Sequence, residues 1–439
     1  MSEKITIERL SYSDAGVGHL SNGKVVFVPG TCPGDEVEVQ VTEEKKRLAQ
    51  GVVTTLVTPS AHRATPACPY AGICGGCGWQ QVAYPKQLEE KRNTLVSQLA
   101  RTAGFGQQRA EELVAETVPS KRTMGYRNKL EFGCGKDAQG RFTLGMHKAG
   151  SNDLLSIESC PLGHKQIEKA PKALRGALRY LSSGNDLGIY RVGVRHSLAT
   201  GACEIALWTN PGPWPRTAVA KTMENALKNT SVVRVMTKDT GSARDFKGLE
   251  VISGKGVWTD TVCDETYSVS APSFFQVNSA QATKLVNLAL DGLEVQPDDY
   301  VADLYCGVGT FTLPLARRCD NVFAVESYGS SVRDLRRAAE REGLDIEVIG
   351  GDSARELPLL GQLDAIVVDP PRAGLAPTMA QSIAQAKPHK VAYISCDPAT
   401  LARDAARLEA VGYTLSSATP VDMFPQTFHV ETVAIFQRK

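Results

Sequence analysis

The sequence VADLYCGVGTF, residues Val301–Phe311, predicts a buried strand, a tight turn and the start of a helix. The apolar run from Tyr300 to Leu304 has the length of a strand. Gly307 and Gly309 follow, and glycine lets a backbone bend sharply and come close to a ligand. Helix-forming residues come next. The fold assignment depends on this strand–turn–helix unit.

The same stretch carries features of a nucleotide-binding site. About 20 residues further on, the apolar run Asn321–Val325 ends in Glu326, and an acidic residue there can hold ribose hydroxyls. The two glycines have a G-x-G spacing, and the third glycine of the dinucleotide fingerprint is missing. This pattern favours a nucleoside ligand such as S-adenosylmethionine (SAM) over NAD. On its own, a glycine turn is equally consistent with a purely structural bend.

The composition is that of an ordinary globular protein. The 439 residues are 42% hydrophobic and 22% charged with a net charge of +1, so any nucleic-acid surface must be a local patch. No apolar run is long enough to span a membrane, and the N-terminus lacks the apolar segment of a signal peptide. We expect a cytoplasmic protein, and we expect it to be a monomer. In that compartment the 11 cysteines are expected to bind metal or do chemistry rather than form disulfides.

Residues 1–58 form the first predicted domain. The runs Lys24–Pro29, Glu36–Val41 and Gly51–Val57 have the pattern of short strands separated by glycine and proline turns, which predicts a small OB-like barrel. The loop Glu43–Arg47 carries three cations. On most folds such a loop is only solvated surface, whereas on an OB-like barrel it favours RNA binding.

A second predicted domain, residues 59–270, begins with a cysteine cluster. Cys68, Cys74 and Cys77 lie in CPYAGICGGC, where small residues let several thiolates converge on one metal site. A closed site needs a fourth ligand, and Cys160, in a polar turn before proline, is the best candidate. The spacing does not separate Zn²⁺ from a [4Fe–4S] cluster. It does argue against the C-x3-C-x2-C cluster of radical enzymes.

Residues Tyr84–Ala103 are predicted to form a helix, and residues 118–270 are predicted to be mainly strands, with one helix at Arg216–Lys228. Basic residues are interleaved with aromatic ones along this strand-rich stretch. The cations are Lys121, Arg122, Arg127, Lys129, Arg141, His147, Lys148, Arg191 and Arg195, and the rings are Tyr126, Phe132 and Phe142. Such a pattern suits phosphates and unstacked bases, which predicts RNA binding. Scattered surface charge over buried rings is the alternative.

In residues 271–439 apolar strands alternate with helices, which predicts a doubly wound parallel sheet with a late antiparallel edge. The predicted fold class is therefore α/β plus β, with a Rossmann-like third domain. Ligands bind such sheets at the carboxyl ends of the strands. The polar motifs fall at these ends: Asp303-Leu304-Tyr305, Glu326, Asp352, Asp369-Pro370-Pro371-Arg372 and Ser395-Cys396-Asp397-Pro398.

Cys396 is the cysteine placed most like a nucleophile. It follows a strand and precedes a helix that starts at Pro398, and a helix N-terminus lowers the pKa of a thiol. Cys306 is a rival because it adjoins the glycine turn, but we expect it to line the ligand. Glu431, at the start of the last strand, is a candidate general base. The alternatives are an inert buried thiol and an exposed carboxylate.

A thiolate, a carboxylate and a methyl donor together fit methylation of a pyrimidine at carbon 5. That carbon is a poor nucleophile until a thiolate adds at carbon 6 and makes it enolate-like. It can then attack a sulfonium methyl. A base afterwards removes the carbon-5 proton, and the cysteine leaves.

The chain resembles the SAM-dependent RNA 5-methyluridine methyltransferases. The matching motifs are SFFQVN (Ser273–Asn278), DLYCGVGTF (Asp303–Phe311), DPPRAGL (Asp369–Leu375), YISCDPATLARD (Tyr393–Asp404) and FPQTFHVETV (Phe424–Val433). The family's CGGC cluster at Cys74–Cys77 and its GYRNK motif at Gly125–Lys129 are also present. The likeness extends over nearly the whole chain.

The resemblance implies Cys396 as the nucleophile and Glu431 as the base. Together with the turn glycine Gly307, the implied SAM-binding residues are Gln276, Tyr305, Thr310, Glu326, Asp352 and Asp369. The resemblance also implies a [4Fe–4S] cluster on Cys68, Cys74, Cys77 and Cys160.

The first domain resembles the TRAM RNA-binding module, which within the family is typical of enzymes that act on 23S rRNA. The resemblance therefore favours 23S rRNA over tRNA as the substrate. A uridine in a duplex or stacked loop would hide carbon 6 from Cys396, so we expect the target uridine to be flipped out.

Two other functions stay open at this point. One is an Fe–S-dependent RNA-binding or sensing protein with a vestigial methyltransferase fold, against which the retained Cys396 and Glu431 argue. The other is amine or cytosine methylation. Arg372 makes amine methylation less favoured, because enzymes of that kind carry an aromatic residue after their D/N-P-P motif.

Overall fold

The computed structural model describes residues 2–184, 186–237 and 246–439. These residues form three main sheets and one two-stranded ribbon. None of the helices in these ranges combines the length and hydrophobicity needed to cross a bilayer.

The first sheet contains six strands, in the order β1-β5-β6-β4-β3-β2. Their bounds are β1 Ser2–Thr6, β2 Arg9–Leu10, β3 Ala15–His19, β4 Val25–Pro29, β5 Glu36–Glu44 and β6 Leu48–Thr58. Val26, Val28, Val37 and Val39 are fully buried, because alternate residues of a strand face the same side. The predicted basic loop is the exposed end of the β5–β6 hairpin.

The second sheet has seven strands, in the order β13-β12-β11-β10-β7-β8-β9. The elements of this region are α1 Tyr84–Arg101, α2 Gln107–Leu113, β7 Lys129–Lys136, β8 Phe142–His147, β9 Leu154–Leu155, α3 Ala170–Leu181, β10 Ile189–His196, β11 Cys203–Thr209, α4 Arg216–Ala226, β12 Thr230–Thr237, β13 Phe246–Ser253, β14 Trp258–Val262 and β15 Glu265–Val269. Strands β14 and β15 form the separate ribbon.

The prediction of one helix between residues 118 and 270 is wrong, because α3 accompanies α4. Leu174 and Leu178 of α3 are fully buried, one helical turn apart. Pro171 lies in the first turn, where it lacks only a hydrogen bond that no helix start makes. Pro171 and Gly176 obscured an amphipathic helix in the sequence.

The third sheet has the order β18-β17-β16-β19-β20-β22-β21. Its elements are α5 Ser279–Leu293, β16 Tyr300–Leu304, α6 Thr312–Ala316, β17 Asn321–Glu326, α7 Gly329–Glu342, β18 Ile346–Gly350, α8 Ser353–Glu356, a 3₁₀ turn Leu357–Leu359, β19 Ala365–Val368, α9 Met379–Ala386, β20 Lys390–Ser395, α10 Pro398–Ala410, β21 Tyr413–Val421 and β22 Glu431–Arg438. Strands β16 to β20 are parallel, as predicted. The antiparallel strand is β22, which lies between β20 and β21 rather than at the edge.

Helix α1 packs against the third sheet's helices rather than against the second sheet. Its residues Leu95 and Leu99 share a buried cluster with Leu401 and Leu408 of α10. Residues Val114 and Val118, which follow α2, form bridges with β21. The third sheet therefore carries layers that come from well before residue 271, and the domain boundaries of the sequence analysis stay predictions.

Candidate active site

The glycine turn after β16 has the backbone that the sequence predicts. The angle φ is positive at Tyr305 (63°), Gly307 (57°) and Gly309 (88°). A Cβ on Gly309 would lie 2.4 Å from Leu335 Cδ1, so glycine is required there for the turn to pack on α7. A Cβ on Gly307 would have no atom within 4 Å, so the space beside this residue is open to a ligand. Positive φ at Tyr305 is uncommon for a residue with a side chain, and such backbone clusters at ligand sites.

Glu326, the last residue of β17, holds the turn through its carboxylate. It accepts hydrogen bonds from the amides of Gly307 (2.9 Å) and Tyr328 (2.6 Å). Each carboxylate oxygen has a second lone pair. Glu326 can therefore fix the turn and still accept hydrogen bonds from ribose hydroxyls, which is consistent with its predicted role.

Tyr305 and Asp352 are neighbours beside the turn. The amide of Tyr305 donates to Ser353 Oγ at 3.2 Å, and Asp352 caps α8 by accepting from the amide of Ala354 at 3.1 Å. Burial raises the pKa of Tyr305 to about 12, and the charges of Asp352 and Asp404 add to that rise. Asp352 is exposed, so its carboxylate is open to solvent at the mouth of the turn.

Gln276 is a buried residue of the connection from β15 to α5, and two hydrogen bonds at Ser273 hold this connection in place. The guanidinium of Arg195 donates to the carbonyl of Ser273 at 2.7 Å. The hydroxyl of Ser273 donates to Asp334 in α7 at 2.7 Å. Thr310 lies in the glycine turn itself and is also buried.

Two acids with raised pKa values lie at the ends of the neighbouring strands β16 and β19. The hydroxyl of Thr312 donates to Asp303 Oδ2 at 2.5 Å, while Oδ1 has no partner among the described atoms. Burial raises the pKa of Asp303 to about 8 and that of Asp369 to about 7. The amide of Asp369 donates to the carbonyl of Leu304 at 3.3 Å, which joins the two strand ends. A cationic ligand placed here would stabilise the ionised carboxylates.

Cys396 and Glu431 come from adjacent antiparallel strands. Ser395, the last residue of β20, pairs with Thr432 in β22, so Cys396 and Glu431 extend this register at one end of the sheet. Asp369 follows β19, the strand on the other side of β20. The β20–β22 pairing therefore brings together the two residues that the sequence analysis assigned as nucleophile and base.

The surroundings of Cys396 oppose the lowering of its pKa that the sequence analysis predicted from the helix N-terminus. Burial raises the pKa of the Cys396 thiol to about 12, and the carboxylates of Glu431 and Asp369 add to that effect. The positive end of α10 is occupied by Asp397, whose carboxylate accepts from the amides of Ala399 and Thr400 at 3.0 Å each. This cap neutralises the helix end and adds a further negative charge beside the thiol.

Arg372 is the cation that opposes these negative charges. It lowers the pKa of Cys396 and that of Glu431, although burial still leaves the pKa of Glu431 well above its usual range. Arg372 Nη2 lies 3.1 Å from His429 Nδ1. Burial and the positive charge of Arg372 lower the pKa of His429 to about 4, so the imidazole is neutral and its Nδ1 can accept from the guanidinium.

The four predicted metal-binding cysteines line one cavity of about 100 Å³. They are Cys68, Cys74, Cys77 and Cys160. Among the described residues, no group of three or more His, Cys, Asp or Glu side chains is arranged to hold a metal ion. A [4Fe–4S] cluster, however, is larger than a single ion and holds its cysteine ligands further apart.

The surroundings of this cavity fit an anionic group. Arg127 also lines it, and its buried Nε has no hydrogen-bond partner within the described part of the chain. The positive charge of Arg127 opposes the rise that burial produces in the pKa of Cys77 and of Cys160. A cluster bound by four thiolates is negative, so Arg127 would offset its charge. The [4Fe–4S] assignment nevertheless stays a proposal.

Comparison with known families assigns most of the chain. A TRAM domain matches residues 3–54, and the tRNA (Uracil-5-)-methyltransferase family matches residues 83–357 and 360–439. The chain belongs to this methyltransferase family. Its N-terminal sheet is thus the predicted TRAM module, and its third sheet is the predicted SAM-dependent methyltransferase fold.

Similar proteins of nearly the same length support the assignment. An uncharacterised RNA methyltransferase of Gloeobacter violaceus is 32% identical over 443 residues, which cover 99% of this chain and 96% of the relative. One from Staphylococcus aureus strain N315 is 32% identical over 452 residues, covering 99% and 97%. The solved tRNA (uracil-54, C5)-methyltransferase of Pyrococcus abyssi, in complex with S-adenosyl-L-homocysteine, gives a TM-score of 0.77 at 29% identity over 98% of this chain and 99% of its own. SAM as the cofactor of this methyltransferase family is therefore confirmed.

Tyr12, Phe428 and His429 were missed as site residues. The hydroxyl of Tyr12 donates to the carbonyl of Cys396 at 2.8 Å, and the Tyr12 ring meets the edge of Phe428 at a centroid distance of 5.4 Å. Phe428 and His429 lie inside a motif that carried the family resemblance, so proximity to Glu431 offered a signal for them. No pattern in the sequence singles out Tyr12, because its contact partner is 384 positions away.

Proposed function

We propose that this methyltransferase transfers the methyl group of SAM to carbon 5 of a uridine in RNA through a covalent bond between Cys396 and carbon 6. The β20–β22 register, which sets Cys396 and Glu431 side by side at the carboxyl end of β20, is the observation that carries the proposal. The neighbouring glycine turn and Glu326 supply the open space and the carboxylate that a nucleoside ligand needs.

Two protons are removed in this reaction, one from the Cys396 thiol and one from carbon 5 of the uridine. The Cys396 thiol releases its proton to solvent, and the thiolate sulfur bonds to carbon 6. The electron pair that this addition moves to carbon 5 attacks the methyl group, whose bond to sulfur breaks. SAM supplies that methyl group and leaves as S-adenosylhomocysteine. Glu431, as a carboxylate, then takes the carbon-5 proton, and the C–S bond breaks to return the thiolate.

Because the pKa values of Cys396 and Glu431 are raised, positive charges near the thiol are needed to favour the ionised forms. Burial raises the pKa of the Cys396 thiol to about 12 and the pKa of Glu431 well above its usual range. Arg372 and the positive sulfonium of SAM both favour the ionised forms. We infer that the positive charge of the bound cofactor increases the thiolate fraction of Cys396.

Replacing Arg372 by Gln is expected to move the pH dependence of adduct formation to higher pH. Without this cation, Cys396 and Glu431 keep their protons to higher pH. A rise of one pKa unit would lower the thiolate fraction at neutral pH about tenfold. The measurement is the rate of covalent adduct formation with RNA whose target uridine carries fluorine at carbon 5, across a range of pH. Arg372→Lys, which keeps the charge, is the matched control, and an unchanged profile in Arg372→Gln would contradict the assignment.

We propose 23S rRNA as the substrate, with the target uridine flipped out of its loop or helix, in a monomeric cytoplasmic enzyme. The TRAM domain at residues 3–54 supports this choice, on the resemblance that links this module to the 23S rRNA enzymes of the family. The similarity to the Pyrococcus abyssi tRNA enzyme over 98% of this chain favours tRNA as the second candidate. Mapping of methylated uridines in rRNA and tRNA from cells with and without this protein tests the choice. Loss of a 23S rRNA site alone supports it, and loss of a tRNA site alone overturns it.

We propose further that Cys68, Cys74, Cys77 and Cys160 hold a [4Fe–4S] cluster that shapes the RNA-contacting surface. Protein purified without oxygen is expected to contain about four iron and four acid-labile sulfide per chain. Cys77→Ser is expected to lose most of both, whereas Cys134→Ser, a half-buried thiol outside the cavity, should keep them. Stoichiometric zinc without sulfide would contradict the assignment.

A further inference from the structure

The loop between β2 and β3, residues 11–14, brings the TRAM domain to the nucleophile. Tyr12 in this loop is half-buried, and its hydroxyl donates to the carbonyl of Cys396 at 2.8 Å. Cys396 lies between the end of β20 and the N-cap Asp397 of α10. The carbonyl that Tyr12 holds therefore belongs to the short hinge that carries the reactive thiol.

The loop is held firmly enough to act as a fixed support. The indole Nε1 of Trp79 donates to the carbonyl of Ser13 at 3.0 Å, and Trp79 is fully buried. The hydroxyl of Ser11 donates to the carbonyl of Ala15 at 2.6 Å. A Cβ on Gly78 would lie 1.8 Å from Asp14 Oδ1, so the two chain segments pack as closely as glycine allows.

Aromatic contacts connect Tyr12 to the residues beside Arg372. The Tyr12 ring meets Phe428 edge-on, and Phe428 contacts His429 at a centroid distance of 4.1 Å. His429 in turn lies against Arg372. The rings of Tyr12, Phe428 and His429 therefore form a continuous row that ends at Arg372. This is the cation that lowers the pKa of Cys396 and of Glu431.

Burial raises the pKa of Tyr12 above its usual range, and the negative charges of Asp397, Cys396 and Glu431 add to the rise. The hydroxyl therefore stays protonated at every pH at which the protein would work. Its role toward the Cys396 carbonyl is that of a permanent donor.

We propose that Tyr12 is a positioning residue for the methylation reaction, and that its hydroxyl fixes the peptide plane of Cys396 and thereby the direction of the thiol. The inference rests on the proposed function. The direction of the Cα–Cβ bond follows the peptide plane, so a free carbonyl would let the sulfur depart from the line of attack on carbon 6. A displacement of about 1 Å in a reacting group can cost about 100-fold in rate. On this account the TRAM domain completes the active site in addition to binding RNA.

Tyr12→Phe in the full chain tests this role, because it removes only the hydroxyl. The expected result is a fall of about 10- to 100-fold in kcat with a KM for RNA within about twofold of wild type. The single-turnover rate of adduct formation on 5-fluorouridine RNA should fall by the same factor. Rates are expressed per SAM-binding site, so that any unfolded fraction does not count. The control is Tyr180→Phe, because Tyr180 is 74% exposed. Its kcat and its rate of adduct formation should match those of wild type.

Each outcome decides the inference. Wild-type kcat and wild-type adduct rate in Tyr12→Phe would overturn it, and a raised KM with unchanged kcat would make Tyr12 an RNA contact instead. Failure of the proposed function looks different, because the wild-type protein itself would then form neither adduct nor 5-methyluridine. That result would overturn the inference as well.

Discussion

Cys396→Ala is expected to abolish methylation of RNA while SAM still binds. Removing a covalent nucleophile from a site that works as a unit costs about 10⁴-fold or more in rate. The glycine turn follows β16 and Glu326 ends β17, whereas Cys396 follows β20, so the cofactor pocket should survive the change. The measurements are transfer of a labelled methyl group to RNA and SAM affinity by calorimetry.

Two other cysteines serve as comparisons for this variant. Cys134→Ala changes a half-buried thiol of the second sheet and should keep full activity. Cys306 is buried at the glycine turn and its amide donates to the carbonyl of Val325 at 3.1 Å. Cys306→Ala should therefore retain the covalent RNA adduct. Full activity of Cys396→Ala would remove this residue from the role of nucleophile.

Glu431→Gln is expected to slow turnover about 10²- to 10⁴-fold, which is the range for loss of a general base. The amide cannot take the carbon-5 proton, so the methylated intermediate should stay attached to Cys396 with ordinary uridine RNA. Denaturing gel electrophoresis should show a protein–RNA band that wild type does not accumulate. Since the pKa of Glu431 is raised, the wild-type rate should climb as pH rises and the carboxylate forms.

Glu347→Gln is the matched control for that experiment, because Glu347 is exposed on β18. It should turn over at the wild-type rate and accumulate no adduct. If Glu431→Gln behaved in the same way, another group would have to remove the proton. Asp369 would be the first to examine, since its carboxylate raises the pKa of both Cys396 and Glu431.

The glycine turn shows how far local sequence determines this site. Positive φ at Gly307 and Gly309 and the position of Glu326 follow from residues within one strand–turn–helix–strand unit. Local patterns of apolar residues were also enough to predict the strands of the third sheet. The resemblance to a methyltransferase family added SAM, and the comparisons confirm it.

Local sequence patterns did not predict the contacts that set the pKa and the position of the Cys396 thiol. The side chain of Asp397 caps α10 and so cancels the helix charge that was expected to favour a thiolate at Cys396. This cap depends on side-chain geometry. The raised pKa of Cys396 also depends on Glu431 and Asp369, which lie on other strands. The bond from Tyr12 joins the first and third sheets across most of the chain. Such effects need the tertiary fold, because sequence spacing carries no information about them.

The most direct test of the account is peptide mapping of the complex that wild-type protein forms with SAM and 5-fluorouridine RNA. Carbon 5 then carries fluorine in place of the proton that the base would remove. The reaction should therefore stop with the nucleotide still attached to the protein. The account predicts one modified peptide, which contains Cys396 bonded to a methylated fluorouridine. Attachment at a different cysteine, or methylation of uridine without any trapped adduct, would contradict it.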